Sequence, residues 1–237
     1  VDAAGFENRH DLLAHLDDGN VWITHLGMTG RWSILGAQKQ PGDFYYAEPT
    51  DPTHTHVVID MEDGAKLEFN DPRRFGYMDL IPEAELETHA FFKAMGPEPL
   101  GNHFHEPYLK SALAKKKAPI KAALLDQRVV AGLGNIYVVE ALHRAGIAPA
   151  KPAGSISAPR LDKLFHATRA VLEEAIEAGG STLSDYAGVD GAQGGFQHRF
   201  RVYDREGQAC PKKDCGGTIK RAVHSGRSTF WCPKCQR

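Results

Sequence analysis

Four cysteines, all within the last 28 residues of a 237-residue chain, constrain this sequence more than any other feature. They run Cys210-x4-Cys215-x16-Cys232-x2-Cys235. Pro211 and Gly216-Gly217 place turns beside the first pair, and Pro233 does so for the second. Two such knuckles, brought together by a β-hairpin, suit one tetrahedral ion, and four thiolates leave it no open position. The expectation is a single structural Zn2+ that folds the hairpin and performs no chemistry. Disulfides are the competing use of the same residues. No apolar run approaches a membrane span, and the first ten residues lack the charged-then-apolar order of a signal peptide. The expected compartment is therefore the cytosol, where thiols stay reduced and clustered cysteines bind metal more often than they pair.

The cysteines lie in a basic module. From His198 onward ten Lys/Arg stand against three acidic residues, a charge of +7, whereas residues 1–197 carry −9. The whole-chain value of −2 hides this separation. A compact positive module on an acidic body is the footprint of a protein that meets a polyanion, with a solvated basic tail as the plainer alternative. A metal-stapled hairpin of this size has almost no core of its own, which leaves its basic side chains outward. In His224-Ser225-Gly226-Arg227 the glycine allows a tight turn, and Arg227 stands at its tip, where a guanidinium can clamp a phosphate.

Upstream the pattern changes twice. Between Asp11 and Leu80, short alternating segments predict strands over Leu12–Leu16, Val21–Leu26, Arg31–Leu35, His56–Met61 and Lys66–Asn70, with Asp17-Asp18-Gly19 and Glu62-Asp63-Gly64 as hairpin turns. Closely spaced prolines in Gly96-Pro97-Glu98-Pro99 then interrupt every regular pattern. Beyond them the period becomes helical over Pro107–Lys116, Pro119–Asp126, Asn135–Ala145 and Pro159–Ala178. The last of these carries Leu161, Leu164, Phe165, Thr168, Val171, Leu172, Ala175 and Ile176 on one face, with Ser157 as N-cap and Gly179 as stop. Residues 188–195 are glycine-rich and lack periodicity, and Phe200–Tyr203, Thr218–Val223 and Ser228–Trp231 read as strands around the cysteines. The fold class is α+β with two domains: a β-sandwich or small barrel over residues 1–95, a linker at 96–106, a helical domain over 107–197 that includes a loop at 188–197, and the zinc finger at 198–237.

Three further strings stand out. Gly132-Leu133-Gly134-Asn135 opens a helix, where free N–H groups and close backbone approach suit a phosphate, although a turn and a cap explain it equally well. His25-Leu26-Gly27-Met28-Thr29-Gly30-Arg31 sets a methionine between glycines, and Asn70-Asp71-Pro72-Arg73-Arg74-Phe75-Gly76 sets Arg-Arg-Phe on a loop after a strand. Exposed Met28 and Phe75 with Arg73 between them would form a wedge able to enter a duplex in place of an extracted base; ordinary core packing of Met28 and Phe75 carries equal weight on spacing alone.

Taken in order, these strings resemble the formamidopyrimidine-DNA glycosylase family, bacterial enzymes that excise oxidised purines such as 8-oxoguanine. The matching segments are His25 to Arg31, Asp71 to Gly76, Leu133-Gly134-Asn135-Ile136-Tyr137, Gly179-Gly180-Ser181-Thr182-Leu183 and the finger ending in Cys235-Gln236-Arg237, so the resemblance runs from about Leu12 to the last residue. It implies a β-sandwich, a helix-two-turn-helix domain and a zinc finger, with double-stranded DNA in the cleft between the halves, no membrane and a monomer. It also implies base-excision repair by a bifunctional DNA glycosylase and abasic-site lyase, acting through base flipping, glycosidic cleavage and β,δ-elimination.

Carried over position by position, the resemblance makes Met28, Arg73 and Phe75 the void-filling residues, with Arg73 facing the orphaned cytosine. His54, Lys116, Lys121, Asn135 and Arg227 become phosphate holders, Arg227 also serves the second elimination, and the 188–197 loop covers the extruded lesion. One departure lies in the finger, with four residues between Cys210 and Cys215 where two are common. The larger one lies at the front. The family's nucleophile is the secondary amine of an N-terminal Pro-Glu pair, and here residues 1 and 2 are Val and Asp. The first ten residues match nothing in the family, His10 falls near the position of a family lysine, and the sandwich is expected to be incomplete at its front. Three functions remain open: an active enzyme whose N-terminal segment is missing from this sequence, a lesion-binding protein that does not cut, and a zinc-finger scaffold without lesion preference.

Overall fold

Strand alternation in the first third of the chain yields two antiparallel three-stranded sheets in the computed structural model, which describes residues 11–27, 29–36, 51–90, 92–181 and 195–237. Met28, His10 and residues 188–194 of the expected lesion loop fall outside the described residues. One sheet has the order β1-β2-β6, from β1 (Asp11–His15), β2 (Asn20–His25) and β6 (Tyr77–Pro82); the other is β3-β5-β4, from β3 (Arg31–Leu35), β5 (Lys66–Asn70) and β4 (Thr55–Asp60). Gly19 and Gly64 adopt positive φ in the two hairpin turns, which only glycine does without steric cost. The sheets meet through a chain of rings: Trp22 lies edge-on to Trp32 at 5.3 Å, and Trp32 lies 5.3 Å from Phe69. Val21, Ile23, Leu13, Phe69 and Ile81 are buried around them.

Strand β6 is absent from the sequence reading. Its Tyr-Met-Asp-Leu-Ile-Pro composition alternates weakly, and it becomes a strand by pairing along the full length of β2, from Asn20 opposite Pro82 to His25 opposite Tyr77.

The α-helices among the described residues are α1 (Glu106–Leu113), α2 (Ile120–Leu125), α3 (Asn135–Ala145) and α4 (Ala158–Glu177). The Ser157 carbonyl accepts the Arg160 and Leu161 amides as α4 begins, and Gly179 adopts positive φ just beyond its end. Leu161, Leu164, Thr168, Val171 and Ala175 are buried as the period requires, but Ile176 is 66% exposed, because the buried stripe passes through Ala175 one residue earlier. No helix among the described residues is long and apolar enough to cross a membrane.

By internal contacts the chain forms two units, residues 1–89 with 178–197 and residues 90–177 with 198–237. The terminal hairpin, β7 (Lys220–His224) with β8 (Arg227–Trp231), thus belongs to the same unit as the helices. Its core is continuous with α3: Val139 packs with Val202, Ile219, Phe230 and the cysteines. Phe200–Tyr203, expected as a strand, is instead a turn wrapped around the carboxylate of Glu140. Arg201 N donates to both oxygens at 3.1 and 3.0 Å, and the amides of Val202 and Tyr203 donate to Oε1 at 2.9 Å each. Consecutive amides converging on one anion cannot also serve a ladder, so the strand is lost.

Glu140 is fully buried on α3, and these bonds are its compensation for leaving water. Glu140→Gln turns an –NH2 toward amides that need an acceptor. The expected outcome is a destabilisation of about 2–4 kcal/mol, read as a lower urea midpoint of the metal-loaded protein at unchanged m-value.

Candidate functional site

In the first unit, the two unusual strings of the strand domain fold against one another. Asp71 is 1% exposed and organises the contact. Its carboxylate accepts the Thr29 hydroxyl at 2.5 Å and the Gly76 amide at 2.7 Å, while its carbonyl accepts from His56 Nε2 at 2.9 Å and from the Arg74 amide at 3.2 Å. Burial by itself would raise the Asp71 pKa; the Thr29 hydroxyl and the amides of Gly76, Arg73 and Arg74 outweigh it and hold the carboxyl below its ordinary range. The Arg73 amide adds a bond to Thr29 Oγ1 at 3.3 Å. Gly27 is required here, since a Cβ on it would lie 2.8 Å from the Phe75 carbonyl carbon.

The pinned loop holds its side chains outward. Phe75 is 56% exposed, Arg73 is exposed, and the Arg73 guanidinium lies 4.8 Å from the Phe75 ring centroid. Arg74 between them takes a left-handed φ of 56°, a strained conformation for a residue with a Cβ. Core packing of Phe75, the plainer sequence reading, is thereby excluded. His54 ends a short 3-10 turn capped by Asp51, and its carbonyl accepts the Asp71 amide at 2.9 Å, which attaches it to the same loop.

In the second unit, Lys121, Asn135 and Arg227 come together at the hairpin tip. Lys121 Nζ donates to Thr229 Oγ1 at 2.7 Å, to the Ser228 carbonyl at 3.2 Å and to the Arg227 carbonyl at 3.3 Å. At 1% exposure this ammonium faces the hairpin and is shut off from any external anion. The expectation that Lys121 holds a phosphate is therefore corrected: it fixes the backbone from which Arg227 projects. Burial, and secondarily the Arg227 charge, lowers its pKa to about 8.

Asn135, expected as a cap or an anion donor, gives no side-chain cap to α3, whose N-cap is Gly134. Its Nδ2 donates to the Ser228 carbonyl at 3.0 Å, and its Oδ1 is buried without a partner among the described residues. Arg227 itself is exposed, beside the turn in which Ser225 and Gly226 both take positive φ. Lys116 lies elsewhere, half-buried beyond α1, with its carbonyl accepting the Gly154 amide at 2.9 Å.

The four cysteine sulfurs lie within 4.8 Å of one another. Cys210 Sγ is 3.8 Å from Cys235 Sγ, and Cys215 Sγ is 3.6 Å from Cys232 Sγ. A tetrahedral ion with Zn–S bonds of about 2.3 Å separates its sulfurs by roughly 3.8 Å, so the cluster has the size of a zinc site. A Cβ at Gly217 would lie 2.6 Å from Cys232 Sγ, so a glycine is required for the thiolates to close. Burial opposes ionisation of Cys232, yet the amides of Cys235 and Lys234 offset it and bring the thiol down to about 7. These four residues hold one structural Zn2+, with no position left for a substrate.

Family models match most of the chain in three consecutive pieces: the formamidopyrimidine-DNA glycosylase N-terminal domain over residues 9–78, the H2TH domain of the same enzyme over 95–187, and the zinc finger found in FPG and IleRS over 207–237. The formamidopyrimidine-DNA glycosylase of Caulobacter vibrioides is 56% identical over 227 residues, which cover 95% of this chain and 79% of that protein. The chain belongs to the formamidopyrimidine-DNA glycosylase family. Among solved structures, the MutM (Fpg) protein of Thermus thermophilus superposes with a TM-score of 0.82 at 42% identity, covering 97% of this chain and 80% of that one. A Lactococcus lactis Fpg variant in complex with Fapy-dG containing DNA gives a TM-score of 0.82 at 31% identity, with coverage of 98% and 80%.

Two residues of the second unit escaped the sequence reading, Glu140 and His143. Both are polar side chains within the buried run Val138–Leu142 and its continuation, a position where a charged or imidazole group requires a partner; that was the available signal.

Lys121 also sets a pH dependence. In the unfolded chain its amine titrates near its ordinary value of 10.5, and in the folded chain near about 8. Between those values the unfolded state holds the extra proton, so the contribution of Lys121 to stability grows as pH rises through the window. Urea unfolding at pH 8, 9 and 10 is expected to show wild type gaining on Lys121→Met as pH increases. A difference independent of pH contradicts the assignment.

Proposed function

We propose that this chain recognises oxidised purines in double-stranded DNA and acts in base excision as a DNA glycosylase with abasic-site lyase activity. The carrying observation is the Arg73–Phe75 pair, an exposed cation and ring held by a buried carboxylate on a loop that cannot relax into the core. Exposure of a large aromatic on a rigid, strained turn costs stability in isolation and is repaid when the ring enters a base stack. Support comes from the relatives, which are named formamidopyrimidine-DNA glycosylase, and from the family structures solved with Fapy-dG containing DNA and with carbocyclic 8-oxo-G containing DNA.

In this reading Phe75, together with Met28, occupies the gap left by the everted nucleotide, and the Arg73 guanidinium faces the Watson–Crick edge of the orphaned base. His54, Lys116 and Asn135 hold backbone phosphates. Arg227, projected by a turn braced through Lys121 and Asn135, clamps a phosphate beside the lesion and assists the second elimination. The zinc supplies only the fold of this hairpin. The monomer and the 188–197 loop as a cover over the lesion belong to the same proposal, as do the domain limits 1–95, 107–197 and 198–237.

A second reading rests on the same Arg73–Phe75 pair, because recognition of an everted lesion needs no nucleophile. In that case the chain binds lesions without cutting. Borohydride trapping on an 8-oxoguanine duplex separates the two, because a covalent adduct requires an amine nucleophile. An adduct supports the glycosylase, and no adduct with retained lesion preference supports the binder. Equal affinity for damaged and undamaged duplex at matched salt contradicts both.

The two arginines should divide recognition between them. Arg73→Ala is expected to lose discrimination among bases opposite the lesion with little loss of overall affinity. Arg227→Ala is expected to weaken binding to every duplex and to lower the slope of log affinity against log salt by about one. Fluorescence anisotropy titrations across a salt series read both effects.

A further inference from the structure

Helix α3 carries an imidazole against the metal centre that the four-cysteine pattern does not contain. His143 is 3% exposed, and its Nε2 lies 3.4 Å from Cys210 Sγ, 67 residues away in the chain. Its Nδ1 is buried and without a hydrogen-bond partner among the described residues. The sulfur is a ligand to the zinc and therefore a thiolate, which can accept a hydrogen bond but has no proton to give. A contact of this length between an imidazole nitrogen and a thiolate is favourable only if the nitrogen carries the hydrogen. We infer that His143 is an outer-shell residue of the zinc centre, its Nε2–H donating to the Cys210 thiolate, and that this bond slows release of the metal.

The physical reason is charge. Four thiolates around a divalent ion leave two negative charges on a cluster whose ligands are mostly buried, and an N–H aimed at a sulfur stabilises that charge where water cannot. The hairpin's own backbone contributes some of this, since the amides of Cys235 and Lys234 face the Cys232 sulfur and that of Lys212 faces the Cys210 sulfur; Gln236 ties the same knuckle to the end of α3, its Oε1 accepting the Cys232 amide at 2.7 Å and its Nε2 donating to the Ile147 carbonyl at 2.9 Å. His143 adds a donor from the helix itself. The metal is thereby tied directly to the helix whose first residue, Asn135, braces the Arg227 turn.

Two substitutions and one measurement on the unaltered protein test the inference. Phe at 143 fills a similar volume with no donor, whereas Gln places an Nε2–H at similar reach. Zinc transfer from the metal-loaded protein to a chromophoric chelator is expected to be about tenfold faster in His143→Phe, in line with the usual effect of removing an outer-shell partner, and to remain within about threefold of wild type in His143→Gln. An unchanged rate in His143→Phe overturns the inference. Equally fast release from both variants also overturns it, since the loss is then one of packing. If His143→Phe does not fold, the tautomer of His143 in the wild-type zinc protein decides: 15N shifts showing the proton on Nε2 support the bond, and a proton on Nδ1 refutes it.

Discussion

A zinc hairpin becomes a rigid tool only if something fixes its direction, and here that is done by buried polar side chains on α2 and α3. Lys121 offers one ammonium to three acceptors of Arg227–Thr229, Asn135 holds the Ser228 carbonyl, and Glu140 gathers the amides of Arg201–Tyr203. Lys121 and Glu140 are groups that must find partners once buried, and they find them, as the Asn135 Nδ2 does, on the hairpin or the turn leading into it. Apolar packing joins the same elements, with Val139 completing the core around the cysteines. The finger is thus not an autonomous module stapled by metal. It is the continuation of a helical unit, with the cysteine cluster packed against α3.

The strand unit uses the same device with opposite sign. There a buried carboxylate, Asp71, collects hydroxyl and amide donors and keeps the Arg73–Phe75 loop from collapsing onto the sheets. In both units a charged group is withdrawn from water so that a neighbouring side chain can stay in it: Asp71 for Phe75 and Arg73, Lys121 for Arg227. Interaction with a stacked, polyanionic partner needs such fixed, outward groups, because ordering them at the moment of binding would cost affinity.

Much of this was legible beforehand. Strands β1–β5 and helices α1–α4 follow from period and punctuation, and the zinc ligands follow from cysteine spacing, because these signals are local. The misreadings share one origin. Phe200–Tyr203 has the composition of a strand and lost that conformation to Glu140; Tyr77–Pro82 lacks alternation and gained strand structure from β2; Lys121 looks like a surface lysine in a basic stretch and is nearly inaccessible. In each case a partner more than 50 residues away decided the outcome, and no local pattern encodes such a partner.

By itself the sequence determined that this chain carries a four-thiolate metal hairpin, a strand unit and a helical unit, and the ordered strings of its family, since residue type and spacing carry those facts. Only the tertiary structure decided which polar residues face a partner and which face the protein. Arg227, Arg73 and Phe75 point outward, while Lys121, Glu140 and His143 point inward, and the difference rests on whether a buried acceptor, amide or sulfur lay within hydrogen-bond reach.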